Sequence, residues 1–415
     1  MGADSTVPDP GQGAGARGGL ARWVARLDAR WSARTWSIVG GLTAAMALQS
    51  WWVHARKRGD FRVFYEAAHR FAAGEQLYRA SDGEYPFKYA PVAAAPFLPL
   101  AVLPEALATL AWVLLAAAAL VAFMRWSAAA LPAEEPLSTH LAVAVLLVPY
   151  SVHLLAMGQT DSVLLWLVAA SAAVAPRRPW LSGLLWAAAT LFKPPFLILV
   201  PLALLAREWL RIAAFGAGVA AGLFLPALRY GWQGNLELLV AWRRILDATT
   251  PPLLCGPQNQ SAFAVACTYL VEPAAGRSFQ LAALAVGGVV AAPMLLSALA
   301  IARRDRAAGF RAGLESALYL SAFLSPLGWR TNLVAAAPLL YRLVQAARRG
   351  SASALRGIAA ATLASLFLVQ RLNWEVVGPD RFYWLLAHRH YGLSMAAAAV
   401  IALLLWARTA SRPAS

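Results

Sequence analysis

Lysine is nearly absent from this chain, with three residues, Lys57, Lys88 and Lys193, among 36 basic positions. Charge of either sign is scarce: acidic and basic residues together make up 13% of the 415, and 60% are hydrophobic. That balance excludes a water-soluble globule, because the apolar runs exceed what one core could hide. No Walker loop, serine elbow or dinucleotide-binding glycine pattern is present, which argues against an ATP-driven pump or an enzyme that takes nucleotide sugars. The run from Gly11 to Gly15 follows no strand and is not a nucleotide fingerprint. No quartet of ligands exists to hold zinc, and His388 and His390 form a pair at strand-like spacing that suits an interface. No metal site and no cofactor are expected; a divalent cation is left open. The first thirty residues lack an apolar stretch followed by a small-residue cleavage site, so no cleavable signal peptide is expected.

What the chain has in plenty is arginine, spread over short segments between apolar runs. A net charge of +16 distributed this way is the pattern of cytoplasmic loops under the positive-inside rule, and nucleic acid is not an expected partner. Residues 1–16 read as a disordered tail. Over 17–34, Arg22, Arg26, Arg30 and Arg34 recur every four residues beside a stripe of Trp23, Leu27 and Trp31, the pattern of an amphipathic helix on the cytoplasmic leaflet or of a solvated helical extension. At ~20 residues per span, apolar helices are expected near 35–53, 92–124 (a short piece before Pro104, a full span after it), 138–157, 160–175, 180–192 and 195–206. They continue near 211–228, 279–302, 312–325, 331–346, 354–371 and 391–408, making about twelve in an all-α, polytopic transmembrane bundle over 35–408. Pro194-Pro195 interrupts the run from Trp180 to Ala206. A break there puts Arg303, Arg304, Arg306 and Arg311, and Arg348, Arg349 and Arg356, on the side of the N-terminal arginines; one tilted helix would reverse everything downstream. The break is therefore preferred, with both termini, including a tail at 409–415, cytoplasmic in a multi-pass cell-membrane protein. Arg56-Lys57-Arg58 opposes this topology, being cationic just outside the first span.

Chemistry-bearing residues gather in the first outer loop, 54–91, which holds Asp60, Tyr65, Gly74, Leu77-Tyr78 and Phe87-Lys88-Tyr89. All three lysines fall on the predicted outer side, where a compact ammonium suits phosphate. Lys193 lies between Phe192 and Pro194 in an apolar stretch, where an unpaired cation costs about 3 kcal/mol; it either snorkels to the interface or binds an anion at a broken helix. A second long outer segment, 229–280, carries both cysteines, Cys255 and Cys267, flanking Asn259-Gln260-Ser261. Outside the cytoplasm a disulfide is permitted and would pin that loop; two free thiols fit the spacing as well.

The order Asp60, Tyr65, Gly74, Leu77-Tyr78, Phe87-Lys88-Tyr89-Ala90-Pro91, Pro96 and Pro99-Leu100 resembles the opening of glycosyltransferase family 87, the membrane mannosyltransferase-like enzymes of the type C glycosyltransferase fold. Later segments are similar in the same order: Gly158-Gln159-Thr160-Asp161, Phe192-Lys193-Pro194, Asn259-Gln260-Ser261 and Ser325-Pro326-x-x-Trp329. Two positions depart from the pattern. Arg330-Thr331-Asn332 stand where the family usually has histidine, and Asp161 replaces an Asn. The resemblance implies transfer of mannose or another hexose or pentose from a polyprenyl-phosphate carrier to a lipid or glycan hydroxyl, on the extracytoplasmic face and with inversion. Such a transfer needs a base for the acceptor's proton and a place for the departing phosphate. Asp60 is the candidate base, with pairing to Arg56 or Arg62, or capping of a helix near Phe61, as the structural reading. Glu66 lies off its helical face. Lys88, Lys193 and Arg330 are the candidates for the donor phosphate, while Tyr65, Tyr78, Tyr89, Gln159, Asp161, Asn259 and Gln260 are candidates for substrate contact. Interface anchoring competes with sugar stacking for the aromatic residues. A transporter or flippase of a lipid-linked sugar, predicting inverted repeats and mid-membrane charges, and a non-catalytic scaffold are the alternatives.

Overall fold

The computed structural model describes residues 32–54, 59–79, 82–83, 86–129, 131, 136–350 and 352–409. The expected tail at 1–16, most of the amphipathic segment at 17–34, Arg56-Lys57-Arg58 and the tail at 410–415 lie outside the described residues. No strand occurs among them, apart from one isolated antiparallel bridge between Asn259 and Trp329.

The helices are α1 (Ser32–His54), α2 (Asp60–Ala73), α3 (Glu105–Ala128), α4 (Leu137–Met157), α5 (Asp161–Val174), α6 (Pro179–Phe192), α7 (Leu199–Leu205) and α8 (Trp209–Phe224). They continue as α9 (Ala227–Thr249), α10 (Ala262–Tyr269), α11 (Arg277–Ala302), α12 (Arg306–Phe323), α13 (Ala337–Arg349), α14 (Ser353–Arg371), α15 (Pro379–Ala387) and α16 (His390–Thr409). Short 3-10 stretches at Pro91–Phe97, Pro194–Ile198 and Arg330–Ala336 each lead directly into an α-helical segment.

Five helices, α3, α4, α11, α14 and α16, are each long and apolar enough to cross a membrane, and a sixth span arises if α8 and α9, bent by 86°, are taken together. Four shorter apolar helical segments, at 91–101, 161–174, 179–192 and 194–205, accompany them. The expected count of about twelve thus reduces, by length and composition among the described residues, to five or six. The reason is local: proline at 104, 179 and 194–195 divides several of the apolar runs into pieces of 10–17 residues, because it supplies no N–H and clashes with the preceding turn. The apolar sides of the long helices face outward. Leu284, Val289, Leu296 and Leu368 are each more than 60% exposed, which water would not tolerate over such contiguous surface. The molecule is a helical membrane protein.

Its two poles differ. At one, the ends of α3, α11, α13 and α16 and the starts of α4 and α12 meet through arginine: Arg304 donates to the Ala407 carbonyl, Arg311 to that of Trp126, and Arg348 to the Ser138 and Thr139 hydroxyls. Buried Glu315 accepts from Arg342 at 3.0 Å and from Arg311 at 3.3 Å, and Arg342 stacks on Trp406 at 3.8 Å. The other pole gathers the N-termini of α2 and α5, the C-termini of α4, α6 and α12, and the irregular segments between them. The break at Lys193-Pro194 falls there, at the end of the α5–α6 hairpin, and creates the wall of a cavity.

Candidate active site

Asp60 is the first residue of α2, and Gly59 precedes it as an extended N-cap with no side-chain cap bond. Carboxylates are favoured at this position by the helix's unsatisfied N–H groups. Its place is fixed by what lies against the next residue. Phe61 is fully buried and stacks on Trp112 at 6.0 Å between ring centroids. Gly158, which ends α4 in the left-handed region (φ 65°), approaches so closely that a Cβ built on it would stand 2.7 Å from the Phe61 Cβ. The Gly158 carbonyl accepts from the Trp112 indole at 2.8 Å. Glycine is needed on both counts, the backbone angle and the contact. This approach brings Gln159 to Asp60: its Nε2 donates to Asp60 Oδ2 at 3.0 Å, while its Oε1 accepts from the Thr331 hydroxyl at 2.5 Å.

Two residues further on, Asp161 opens α5 and meets Lys193, the residue after α6, at 2.6 Å. The Asn332 amide donates to the same Asp161 oxygen at 2.6 Å. A hairpin returns α6 beside α5, so the helix start and the helix end share one level, and the half-buried cation that the sequence left unpaired has its counter-charge.

These groups line one cavity of about 510 Å³. Asp60, Lys88, Tyr89, Gln159, Asp161, Lys193 and Asn332 supply its polar wall, and Leu165, Phe192, Phe196, Leu246, Ala322 and Leu327 much of the apolar one. The Lys88 ammonium reaches the Thr249 carbonyl at 3.4 Å, and the Lys88 carbonyl accepts from Trp242 of α9 at 2.9 Å. Burial pushes the Lys88 ammonium below the ordinary lysine value. The Tyr89 phenol is raised, first by burial and then by the charges of Asp60 and Asp161.

Other predicted site residues lie off the cavity. The Tyr65 hydroxyl donates to the Leu103 carbonyl at 2.8 Å and that of Tyr78 to the Tyr89 carbonyl at 2.7 Å, so both brace the wall from behind. Asn259 is fully buried and its amide is saturated: Nδ2 donates to the Leu254 and Pro326 carbonyls, and Oδ1 accepts from the Ser261 and Gly328 N–H groups. Gln260 bonds Pro257, Leu386 and Gly392. The Asn259-Gln260 pair thereby holds the Pro326–Trp329 turn, whose Pro326, Leu327 and Trp329 do line the cavity. Cys255 and Cys267 form a disulfide around the same loop. Arg330 points away, over the rings of Phe382 and Tyr391 at 5.3 and 5.5 Å. Arg62 pairs with Glu66 at 2.6 Å.

Sequence reasoning missed Thr331, Asn332 and Arg389 as members of this assembly. Arg389, in the left-handed region at φ 57°, donates to the carbonyls of Cys255, Gly256 and Asn259 and to the Thr268 hydroxyl. No spacing rule connects residues about 130 apart, so nothing in the chain announces that clamp. Among the described residues no cluster of His, Cys, Asp and Glu could hold a metal ion.

No curated protein and no solved structure matches the chain. The model of glycosyltransferase family 87 matches residues 87–326, which takes in Lys88, Tyr89, Gln159, Asp161 and Lys193 and leaves Asp60, Thr331 and Asn332 outside. With more than half of its length matched, the chain belongs to glycosyltransferase family 87, and is a membrane glycosyltransferase.

Proposed function

We propose that the protein transfers a sugar from a polyprenyl-phosphate carrier to a hydroxyl of a lipid or glycan acceptor, with inversion, on the extracytoplasmic face of the cell membrane. The carrying observation is the cavity itself: one carboxylate held by a neutral amide, one partly buried ammonium and an apolar wall share a single space. An acceptor hydroxyl beside Asp60 attacks the anomeric carbon from one face. The carbon–oxygen bond to phosphate breaks on the other, the hydroxyl proton passes to Asp60, and the bond's electron pair leaves with the phosphate. Lys88 is the cation for that phosphate. The charge of Lys193 is already compensated by Asp161, so this pair acts on position and on sugar hydroxyls more than on the leaving group. Apolar residues from α5, α6, α9 and α12 suit the first isoprene units of the carrier.

The short basic segments at the opposite pole, Arg303, Arg304, Arg306 and Arg311 and Arg348, Arg349 and Arg356, support a cytoplasmic placement of that end and an outer placement of the cavity. Helices α5 and α6, 14 residues each, rise only about 21 Å against a hydrocarbon core of about 30 Å. With their arginine-rich turn at the inner surface, their cavity ends stop within the outer leaflet, about 9 Å below its headgroup boundary, so a carrier's phosphate must reach down into the cavity.

The donor class is tested by presenting the purified protein in lipid with radiolabelled polyprenyl-phosphate sugars and, separately, nucleotide sugars, together with a lipid extract. Label should reach lipid or glycan from the polyprenyl-phosphate donor. Transfer from nucleotide sugars alone would overturn the reading.

A further inference from the structure

Behind the cavity, on the far side of the Arg330–Ala336 turn, a second set of polar groups lies buried without adequate partners. The Arg330 guanidinium rests on two aromatic rings, and its Nε has no hydrogen-bond partner. Among the described residues the only acid acting on it is Glu375, exposed and beyond ion-pair distance. Tyr150 and His153 on α4 are its electrostatic neighbours. Tyr150 is fully buried and Gln370 on α14 is 2% exposed. The Tyr150 hydroxyl and the Gln370 side chain face one another, yet the hydroxyl and both amide atoms fall short of hydrogen-bond geometry. Buried polar groups are nearly always satisfied, and the half-buried Arg330 guanidinium has the neutral Tyr391 hydroxyl beside it but no close counter-charge, which is destabilising. Several such groups around one cation point to a missing anion, whose oxygens would accept from the guanidinium fork, the phenol and the amide N–H.

We propose that Arg330, Tyr150 and Gln370 form a second anion site, separate from the Lys88 cavity, that takes a phosphate-type oxyanion, either free or on a lipid headgroup. Arg330 adjoins Thr331, which reaches Asp60 through Gln159. An oxyanion held here therefore acts on Asp60 through the turn, by fixing Thr331 and with it the Gln159–Asp60 contact. That role rests on the proposed transfer reaction; the binding itself does not.

The test is thermal stability of the full chain in neutral detergent, titrated at constant ionic strength with inorganic phosphate and, in parallel, with short-chain phosphatidic acid against phosphatidylcholine of equal chain length. Wild type should be stabilised by the oxyanion, with the midpoint concentration raised at least tenfold in Arg330→Met and in Gln370→Leu, and the same two ratios should hold in a Lys88→Met background, where the cavity's own cation is gone. Stabilisation by both probes assigns the site to the oxyanion alone; stabilisation by phosphatidic acid only assigns it to a headgroup. If Arg330→Met does not fold, Arg330→Lys and Gln370→Leu carry the test. No stabilisation of wild type, or equal midpoints in wild type and these variants, overturns the site. Because binding is read without turnover, an inactive Asp60 variant that still shows the shift separates failure of the transfer mechanism from failure of this site.

Discussion

Asp60, Lys88, Asp161 and Lys193 are legible in the sequence as acids and lysines out of place in an apolar chain, but which charge answers which is not. Lys193 pairs with Asp161 at 2.6 Å across the α5–α6 hairpin, a contact set by folding rather than by spacing. Removing one partner leaves an uncompensated charge in a half-buried place. We expect Asp161→Ala to cost about 2 kcal/mol, below the fully buried range because Lys193 keeps some solvent. The Asp161→Ala, Lys193→Met double variant should recover part of that loss, as thermal unfolding of the four proteins in a double-mutant cycle would show. Lys88 makes a prediction in pH. Burial lowers its pKa in the folded protein, so its positive charge disappears at a pH below the ordinary lysine range. Donor affinity should therefore fall as pH rises through that lowered value, while Lys88→Arg, which stays charged, holds its affinity; KM for donor against pH reads the difference. The same shift has a stability sign: the folded chain binds fewer protons than the unfolded one between the two values, so this residue's contribution to stability rises with pH there.

At the scale of elements, most helices are legible from apolar runs and proline breaks: the expected 138–157, 180–192, 354–371 and 391–408 appear as Leu137–Met157, Pro179–Phe192, Ser353–Arg371 and His390–Thr409. The loop chemistry is not. Asn259 and Gln260 are candidates for substrate contact through the family resemblance of Asn259-Gln260-Ser261, yet their hydrogen bonds bind the loop to the Pro326–Trp329 turn. A residue's type does not disclose whether its partners are a ligand or a neighbouring backbone. The junction of α4 and α2 is the element on which the site turns. Gly158→Ala would bring a Cβ to within 2.7 Å of the Phe61 Cβ and strain a left-handed residue, pushing α2 and its Asp60 away from Gln159. Displacement of a catalytic group by about 1 Å can cost about a hundredfold in rate. We expect kcat to fall on that order with the protein still folded, measured as initial transfer rates beside a thermal unfolding curve.

For the whole molecule, composition alone identifies a helical membrane protein, and the arginine-rich segments that gather at one pole stand out in the sequence as well. The length of each span is not legible there, since proline and 3-10 segments shorten helices that hydropathy reads as continuous. The polarity of the bundle yields a labelling prediction. Both native cysteines are joined, so a single new cysteine reports its side. In intact cells a membrane-impermeant maleimide should label Glu272→Cys, at the cavity pole, and spare Arg177→Cys, in the α5–α6 turn, until the membrane is opened; the reverse pattern would place the cavity inside.

The most direct test of the central claim is transfer by Asp60→Asn. This change keeps the size of the side chain and removes its ability to take a proton. With a polyprenyl-phosphate sugar donor and lipid acceptor, wild type should transfer label, and the variant should lose at least about a thousandfold in rate with Tm and donor binding unchanged. Equal transfer by the two proteins would contradict the account and move the base elsewhere in the chain.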